Sequence, residues 1–198
     1  MSAWDERYAQ ENWVFGTEPN DFLREEAHRI PKGRVLCLGE GEGRNSVYLA
    51  ELGYEVVGVD RSQVGLDKAQ ALAQERGVFV ETVLSSVEDF DLREGEWEGI
   101  VSIFFHLPPD LRRRVHRAVV EGLAPGGILI LEAYTPGQLG LGTGGPSDPT
   151  RLMTMDMLSE ELEGLEVLVA REMEREVQEG QMHRGRGSVV QYVGVRPE

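Results

Sequence analysis

Short apolar runs alternate with helical patterns through the middle of the chain. Residues 34–38, 55–59, 78–84, 99–104 and 128–133 are rich in Val, Ile and Leu, as strands buried on both faces of a parallel sheet are. Between them, residues 45–52, 63–76 and 110–123 carry apolar positions at helical spacing. Gly53, Gly77 and Gly126 sit just past helix ends, where a left-handed backbone is needed. Upstream, residues 4–10 and 21–28 read as short helices, the second stopping near Pro31 and Gly33. Downstream come a Gly/Pro-rich loop to Pro149 and a helix over 155–163. Two long β patterns, 166–177 and 188–196, then flank a turn holding Gly180, Gly185 and Gly187. The pattern predicts an α/β fold: a Rossmann-like, doubly wound, seven-stranded mixed sheet with helices on both faces and a C-terminal antiparallel hairpin.

The junction between the first strand and the next helix is Leu38-Gly39-Glu40-Gly41-Glu42-Gly43-Arg44-Asn45-Ser46. Asp60 ends the following strand. A strand, a glycine turn, a helix, a strand and then an acid make the nucleoside half of a Rossmann-type site. The spacing is G-x-G-x-G rather than the G-x-G-x-x-G that suits a diphosphate, and Glu40 and Glu42 inside the loop would repel one. They favour a cationic ligand without phosphate. S-adenosylmethionine is such a ligand, and Asp60 suits its ribose diol. A nicotinamide-dependent oxidoreductase is the first rival reading, and a non-catalytic module that only binds S-adenosylmethionine is the second.

Net charge narrows the partners. With 20 basic and 35 acidic residues the formal charge is −15, which repels nucleic acid and anionic membrane. Arg112-Arg113-Arg114 reads as the solvated face of a helix start. No apolar run has membrane-spanning length and no cleavable signal pattern opens the chain, so a cytoplasmic protein is expected. The single cysteine, Cys37, falls in the first strand and reads as buried. Four histidines without ligand spacing give no expectation of a metal site.

The sheet plan and the Gly39 turn resemble the class I S-adenosylmethionine-dependent methyltransferases over nearly the whole chain. Within them the sequence is most similar to the tellurite-resistance methyltransferases. The matches are 41–50 followed by Gly53-Tyr54-Glu55-Val56, then Ile100-Val101-Ser102, Pro125-Gly126-Gly127, and Met182-His183-Arg184. The Gly-Arg-Asn-Ser run is the most specific. Glu40 stands where that family usually has Cys, and the loop Gly140 to Pro146 looks like an insertion. The resemblance implies one methyltransferase domain over residues 1–198: a helical lid at 1–32, a nucleoside-binding core at 33–135 and an acceptor side at 136–198. It implies transfer of a methyl group to a small acceptor, such as a thiol or a chalcogen oxyanion.

Candidate cofactor residues are Gly39, Glu40, Gly41, Gly43, Arg44, Asn45, Asp60, Arg61 and Ser62, with Glu40 or Glu42 taking the ammonium and Arg61 lying along the adenine. In the resembled fold Ser86, Val87 and Glu88 read the adenine edge, and Ile103 and Phe104 lie beneath the sulfonium. There, too, the N-terminal aromatics Trp4, Tyr8, Trp13 and Phe15 close a dry lid. Four residues are candidates for catalysis. His106 follows the fourth strand at a carboxyl end, where open α/β sheets bind ligands. Tyr134 ends the fifth strand. The family likeness maps catalytic or anion-binding roles onto His183 and Arg184. Pro108-Pro109 lacks the flanking residues of amino-group methyltransferases and reads as a helix start.

Overall fold

The computed structural model describes residues 3–180 and 182–198; residues 1, 2 and 181 of the expected single domain lie outside that description. Seven strands form one sheet in the order β3-β2-β1-β4-β5-β7-β6. The strands are β1 Arg34–Leu38, β2 Glu55–Asp60, β3 Glu81–Leu84, β4 Trp97–Ile103, β5 Leu123–Tyr134, β6 Glu166–Glu179 and β7 His183–Val195. Strands β1 to β5 pair in parallel, while β7 runs antiparallel to both β5 and β6. The helices are α1 Ala3–Tyr8, α2 Asp21–Glu26, α3 Arg44–Glu51, α4 Gln63–Arg76, α5 Pro109–Gly122 and α6 Met155–Glu161.

Alternation along each strand builds two cores. Val35, Cys37, Val56, Val101 and Ile130 face one way, against Leu23, Leu49 and Leu72 of α2, α3 and α4. Leu36, Leu38, Val57, Ile100 and Leu129 face the other way, against Val115, Val119 and Leu158 of α5 and α6. A strand with helices over both faces needs apolar residues at every position, which is why these runs lack a polar face. Cys37 is buried, as expected.

Among the boundaries that differ from the sequence reading, three do so for clear local reasons. Residues 78–80 do not extend β3 upstream: Gly77 ends α4 at φ 69°, and the Val78 amide returns to the Ala73 carbonyl, a Schellman closure that occupies this segment. Pro109 is the first helical residue of α5, so that helix begins one residue earlier. The hairpin is longer than expected. Gly185 and Gly187 pair with Val177 and Arg175 inside the ladder, so His183 and Arg184 belong to β7 and not to a turn.

The strand order reverses between β1 and β4, and the chain leaves their carboxyl ends in opposite directions. That leaves a crevice, the usual ligand position in open α/β sheets. Among the described residues no helix is long and apolar enough to cross a membrane.

Candidate functional site

A cavity of about 780 Å³ occupies this crevice, within the range of about 300–1,000 Å³ that holds drug-sized ligands. The glycine turn, Asp60 at the end of β2, Ser85 to Glu88 after β3, Ile103 at the end of β4 and Phe104 to Pro108 beyond it form one side. Trp4, Arg7, Tyr8, Phe15, the segment Gly145 to Asp148, Arg151 and His183 form the rest.

The turn is bare where the cavity meets it. Gly39 and Gly41 have φ of 64° and 60°, and a Cβ on Gly41 would lie 2.8 Å from the Tyr8 hydroxyl. Asp60 secures the turn: Oδ2 accepts the Gly41 amide at 2.9 Å and Oδ1 accepts the Ser62 amide at 2.8 Å. Burial raises its pKa, opposed by these amides. Each oxygen keeps a second lone pair for an incoming hydroxyl. Gly43 serves packing instead. A Cβ there would meet the Ala69 backbone at 2.7 Å, and Gly43 does not line the cavity.

Glu40 and Glu42 both border the cavity, and each is also engaged within the protein. Glu42 Oε2 accepts the amides of Val14 and Phe15 at 2.8 and 3.2 Å, and Oε1 pairs with Lys68 at 2.9 Å. Its charge holds the N-terminal segment and is not available for an ammonium. Glu40 lies over Gly58 of β2, where a Cβ would come within 2.7 Å of its Cγ, and Ser46 Oγ donates to it. Burial pushes the Glu40 carboxyl up to about 8, against the Ser46 hydrogen bond. It is a neutral strut at pH 7, and its Oε2 has no partner among the described residues.

Arg44, Asn45 and Ser46 each tie the turn to another element. Arg44 Nη2 pairs with Glu179 at 2.5 Å, Asn45 Oδ1 accepts the Asn20 amide at 3.0 Å, and Ser46 reaches Glu40. Glu179 also accepts from Asn20 and Arg175, and Arg175 forks onto Glu132 at 2.8 and 2.7 Å. Glu132, fully buried on β5, further accepts from Asn20 Nδ2 and Gln191 Nε2 at 2.6 Å each. Burial opposes ionisation of Glu179, but Arg44 and Arg175 hold its carboxyl below the usual range.

Of the four catalytic candidates, only His106 and His183 reach the cavity wall. His106 has both ring nitrogens engaged. Nδ1 lies 3.0 Å from the Phe104 carbonyl and Nε2 accepts the Tyr134 amide at 3.0 Å, which requires the neutral Nδ1–H tautomer. Burial lowers its pKa to about 4. The ring therefore pins Phe104, whose φ of 51° is unusual for a bulky residue, and is not available as a proton carrier. Tyr134 is fully buried behind Phe104, with ring centroids 4.4 Å apart, and lies off the wall. Arg184 is exposed, because it alternates with His183 along β7. His183 sits between Phe15 and Phe104, with centroids at 4.7 and 4.8 Å. Burial, aided by Arg44, lowers its pKa to about 3.

Arg61, Ser86, Val87 and Glu88 line the cavity as expected, whereas Ser62 does not. Ser62 Oγ caps α4, accepting the Gly65 amide at 3.2 Å, and donates to Asp5 at 2.6 Å. Wall residues absent from the sequence reading include Arg7, Ser85, Ser147 and Arg151. The last two follow the loop at 140–146, whose closeness to the cavity no local pattern signals. Gln138 clamps that loop through Thr143 and the Gly144 carbonyl at 2.9 and 3.1 Å. Among the described residues no group of three or more acidic, His or Cys side chains could hold a metal ion.

Residues 35–127 match the family model described as a methyltransferase domain. Those residues thus carry a methyltransferase domain. A 2-heptyl-1-hydroxyquinolin-4(1H)-one methyltransferase of Mycobacteroides abscessus is 28% identical over 129 residues, covering 64% of this chain and 57% of that protein. The chain spans about half the length of the curated relatives it matches. Two solved structures share the fold. One, described as converting a disulfide bond into a thioacetal group during echinomycin biosynthesis, has a TM-score of 0.77 at 21% identity. It covers 98% of this chain and 90% of its own. TehB from Haemophilus influenzae has a TM-score of 0.73 at 20% identity, covering 98% and 65%.

The methyltransferase domain's own residues fit S-adenosylmethionine as cofactor. Its turn leaves bare backbone at Gly39 and Gly41, Asp60 keeps free lone pairs at the end of β2, and a buried guanidinium nitrogen, Arg44 Nη1, has no partner among the described residues.

Proposed function

We propose that this protein transfers a methyl group from S-adenosylmethionine to a small, soft nucleophile that arrives already ionised, a thiolate or a chalcogen oxyanion. The neutral His183 on the cavity wall carries this reading. A base with a pKa of about 3 takes no proton from a neutral thiol or alcohol at pH 7, and His106 has no free nitrogen. The acceptor must therefore bring its own lone pair.

The cofactor supplies a methyl group on a sulfonium, a leaving group that needs no acid. Asp60 holds the ribose diol. Ser86 and Val87 meet the adenine edge, Arg61 its face, and Ile103 and Phe104 floor the centre. Phe15, Tyr8 and Trp4 exclude water, and the wall orients the acceptor at about 3–3.5 Å for in-line attack. Arg7 and Arg151 give the acceptor end its positive charge, the part Arg184 was expected to play.

The test is release of S-adenosylhomocysteine with a panel of small thiols of graded pKa, together with selenite and tellurite. The rate for each thiol should rise with pH until that thiol's own pKa and then level. An inflection at one fixed pH for all thiols would overturn the pre-ionised reading. Tight cofactor binding without turnover on any acceptor would favour a binding module.

A further inference from the structure

We infer that Arg151 binds a second, anionic group on the methyl acceptor, and that the buried ion cluster of Arg112, Glu161 and His116 holds it on the cavity wall. The inference rests on the proposed function above and narrows its acceptor to soft nucleophiles that also carry a carboxylate or a comparable anion. Sheet order places this corner away from the adenosyl half. Asp60 ends β2 and Ser86 follows β3, on one side of the β1–β4 crevice, whereas residues 145–151 follow β5 on the other. Leu107 and Leu111, around the start of α5, line the wall as well. Of the other cationic side chains on the wall, Arg61 is exposed beside Asp60 and Arg7 lies 4.8 Å over the Trp4 ring.

The backbone that presents Arg151 is fixed at three points. Asp148 caps the short 3-10 turn Pro149–Arg151, its Oδ1 accepting the Thr150 amide at 3.0 Å and hydroxyl at 2.7 Å. The Met153 amide returns to the Tyr134 carbonyl at the end of β5 at 3.0 Å. Arg112 Nη1 donates to the Thr150 carbonyl at 3.2 Å. Arg112 leaves the solvated face expected of residues 112–114. It is 2% exposed and forks onto Glu161 of α6 through Nε at 3.0 Å and Nη2 at 2.8 Å, with His116 Nδ1 2.8 Å from Glu161 Oε2. Burial opposes ionisation of Glu161, yet His116 and Arg112 lower its carboxyl to about 2. Such a cluster costs desolvation that apolar side chains would avoid; what it provides is a fixed Thr150 carbonyl, one residue before Arg151. The Arg151 guanidinium meets Asp148 through Nε at 3.5 Å, both side chains being half exposed. A solvated pair of that length contributes little, so the Nη edge is free for an anion. In a chain of net charge −15, an anionic acceptor needs a local positive wall. Burial is the main cause of the low His106 pKa, and the Arg112 and Arg151 charges add to it, so their potential reaches the cavity floor.

Rates of S-adenosylhomocysteine release with 3-mercaptopropionate and with its uncharged amide test this. Each turnover breaks the methyl–sulfonium bond and forms one bond from that methyl to the thiolate sulfur. The wild type should prefer the carboxylate about tenfold in kcat/KM, counted per thiolate, the worth of one charge-assisted hydrogen bond. Arg151→Gln should erase the preference through KM, and Arg151→Lys should restore part of it. Arg112→Lys keeps the charge but loses the fork. It should raise KM for the carboxylate more than for the amide, with kcat holding for both. A fall in kcat for both thiols alike would assign Arg112 to folding and overturn its positioning role. Equal wild-type rates for the two thiols overturn the inference while thiolate methylation stands, even if no variant folds. Turnover of selenite or tellurite but of neither thiol overturns it too. No turnover of any of these acceptors, with S-adenosylmethionine bound, overturns the inference together with the reading it rests on.

Discussion

Glu42 of the glycine turn accepts the backbone amide of Val14 at 2.8 Å, so the loop facing the cavity also straps the N-terminal segment across it. Lys68 of α4 completes the strap, reaching the carbonyls of Gln10 and Asn12 at 2.7 and 2.9 Å as well as Glu42. On the far side the segment rests on the hairpin tip, where a Cβ on Gly180 would meet the Val14 carbonyl at 2.4 Å. The lid is thus a packed layer between turn and hairpin.

Replacing Glu42 by Ala should release that layer. It removes a buried ion pair and the acceptor for two amides, a loss of about 2–4 kcal/mol, or a fall in Tm of about 5–15 °C. Hydrogen exchange should accelerate over residues 3–16 more than over β1 and β4. Uniform acceleration across the chain would show that the strap holds nothing in particular.

Asp60 predicts a loss on the ligand side. Asp60→Ala should weaken S-adenosylmethionine about 10–100-fold by calorimetry, since hydrogen bonds to a charged group contribute about 1.5–3 kcal/mol. Asp60→Asn should recover part of this loss, because the amide oxygen still accepts. Unchanged affinity in the alanine variant removes the ribose assignment.

The two cavity histidines set the acid limb of stability. His106 and His183 have folded pKa values of about 4 and about 3, below the unfolded 6.5. As pH falls below 6.5 the unfolded chain takes up protons that the folded state refuses. Stability should drop by about 1.4 kcal/mol per pH unit for each histidine, down to their folded values. Denaturant titrations of His106→Asn between pH 4.5 and 6.5 should show a shallower slope than wild type. An equal slope would mean that His106 is solvated in the native state.

Glu40 sets the opposite limb. Its folded pKa of about 8 lies above the unfolded 4.5, so its contribution is full below 4.5 and is lost as pH rises to 8. With the histidines limiting the acid side, stability should peak near pH 6.5. Glu40→Gln keeps the shape and an acceptor for Ser46, and should flatten the decline between pH 6.5 and 8. A decline that persists in the variant has another source.

The sheet plan was legible because it is written in local periodicity. Every position of β1 and β2 beyond the first is buried, so their apolar runs announce a doubly covered sheet. Gly39, Gly41 and Asp60 were legible as well, since a turn and the strand-ending acid after it keep a fixed spacing whatever surrounds them. The ligand class was legible in the glycine spacing and the strand-ending acid, whereas the carboxylates of Glu40 and Glu42 turn out to be engaged within the protein.

What folding alone decided is where side chains point and what they meet. Glu40 and Glu42 look alike in sequence, yet one lies over Gly58 with its pKa pushed up by burial and the other pairs with Lys68, because their neighbours come from β2, α4 and the N-terminus. His183 and Arg184 are adjacent, but β7 pairs with β6 through them and sends one into the cavity and the other to solvent. The cluster of Arg44, Glu179, Arg175 and Glu132 joins residues far apart in the chain. Charge pairing of that kind depends on distances that only the packed sheet creates, and no local pattern carries them.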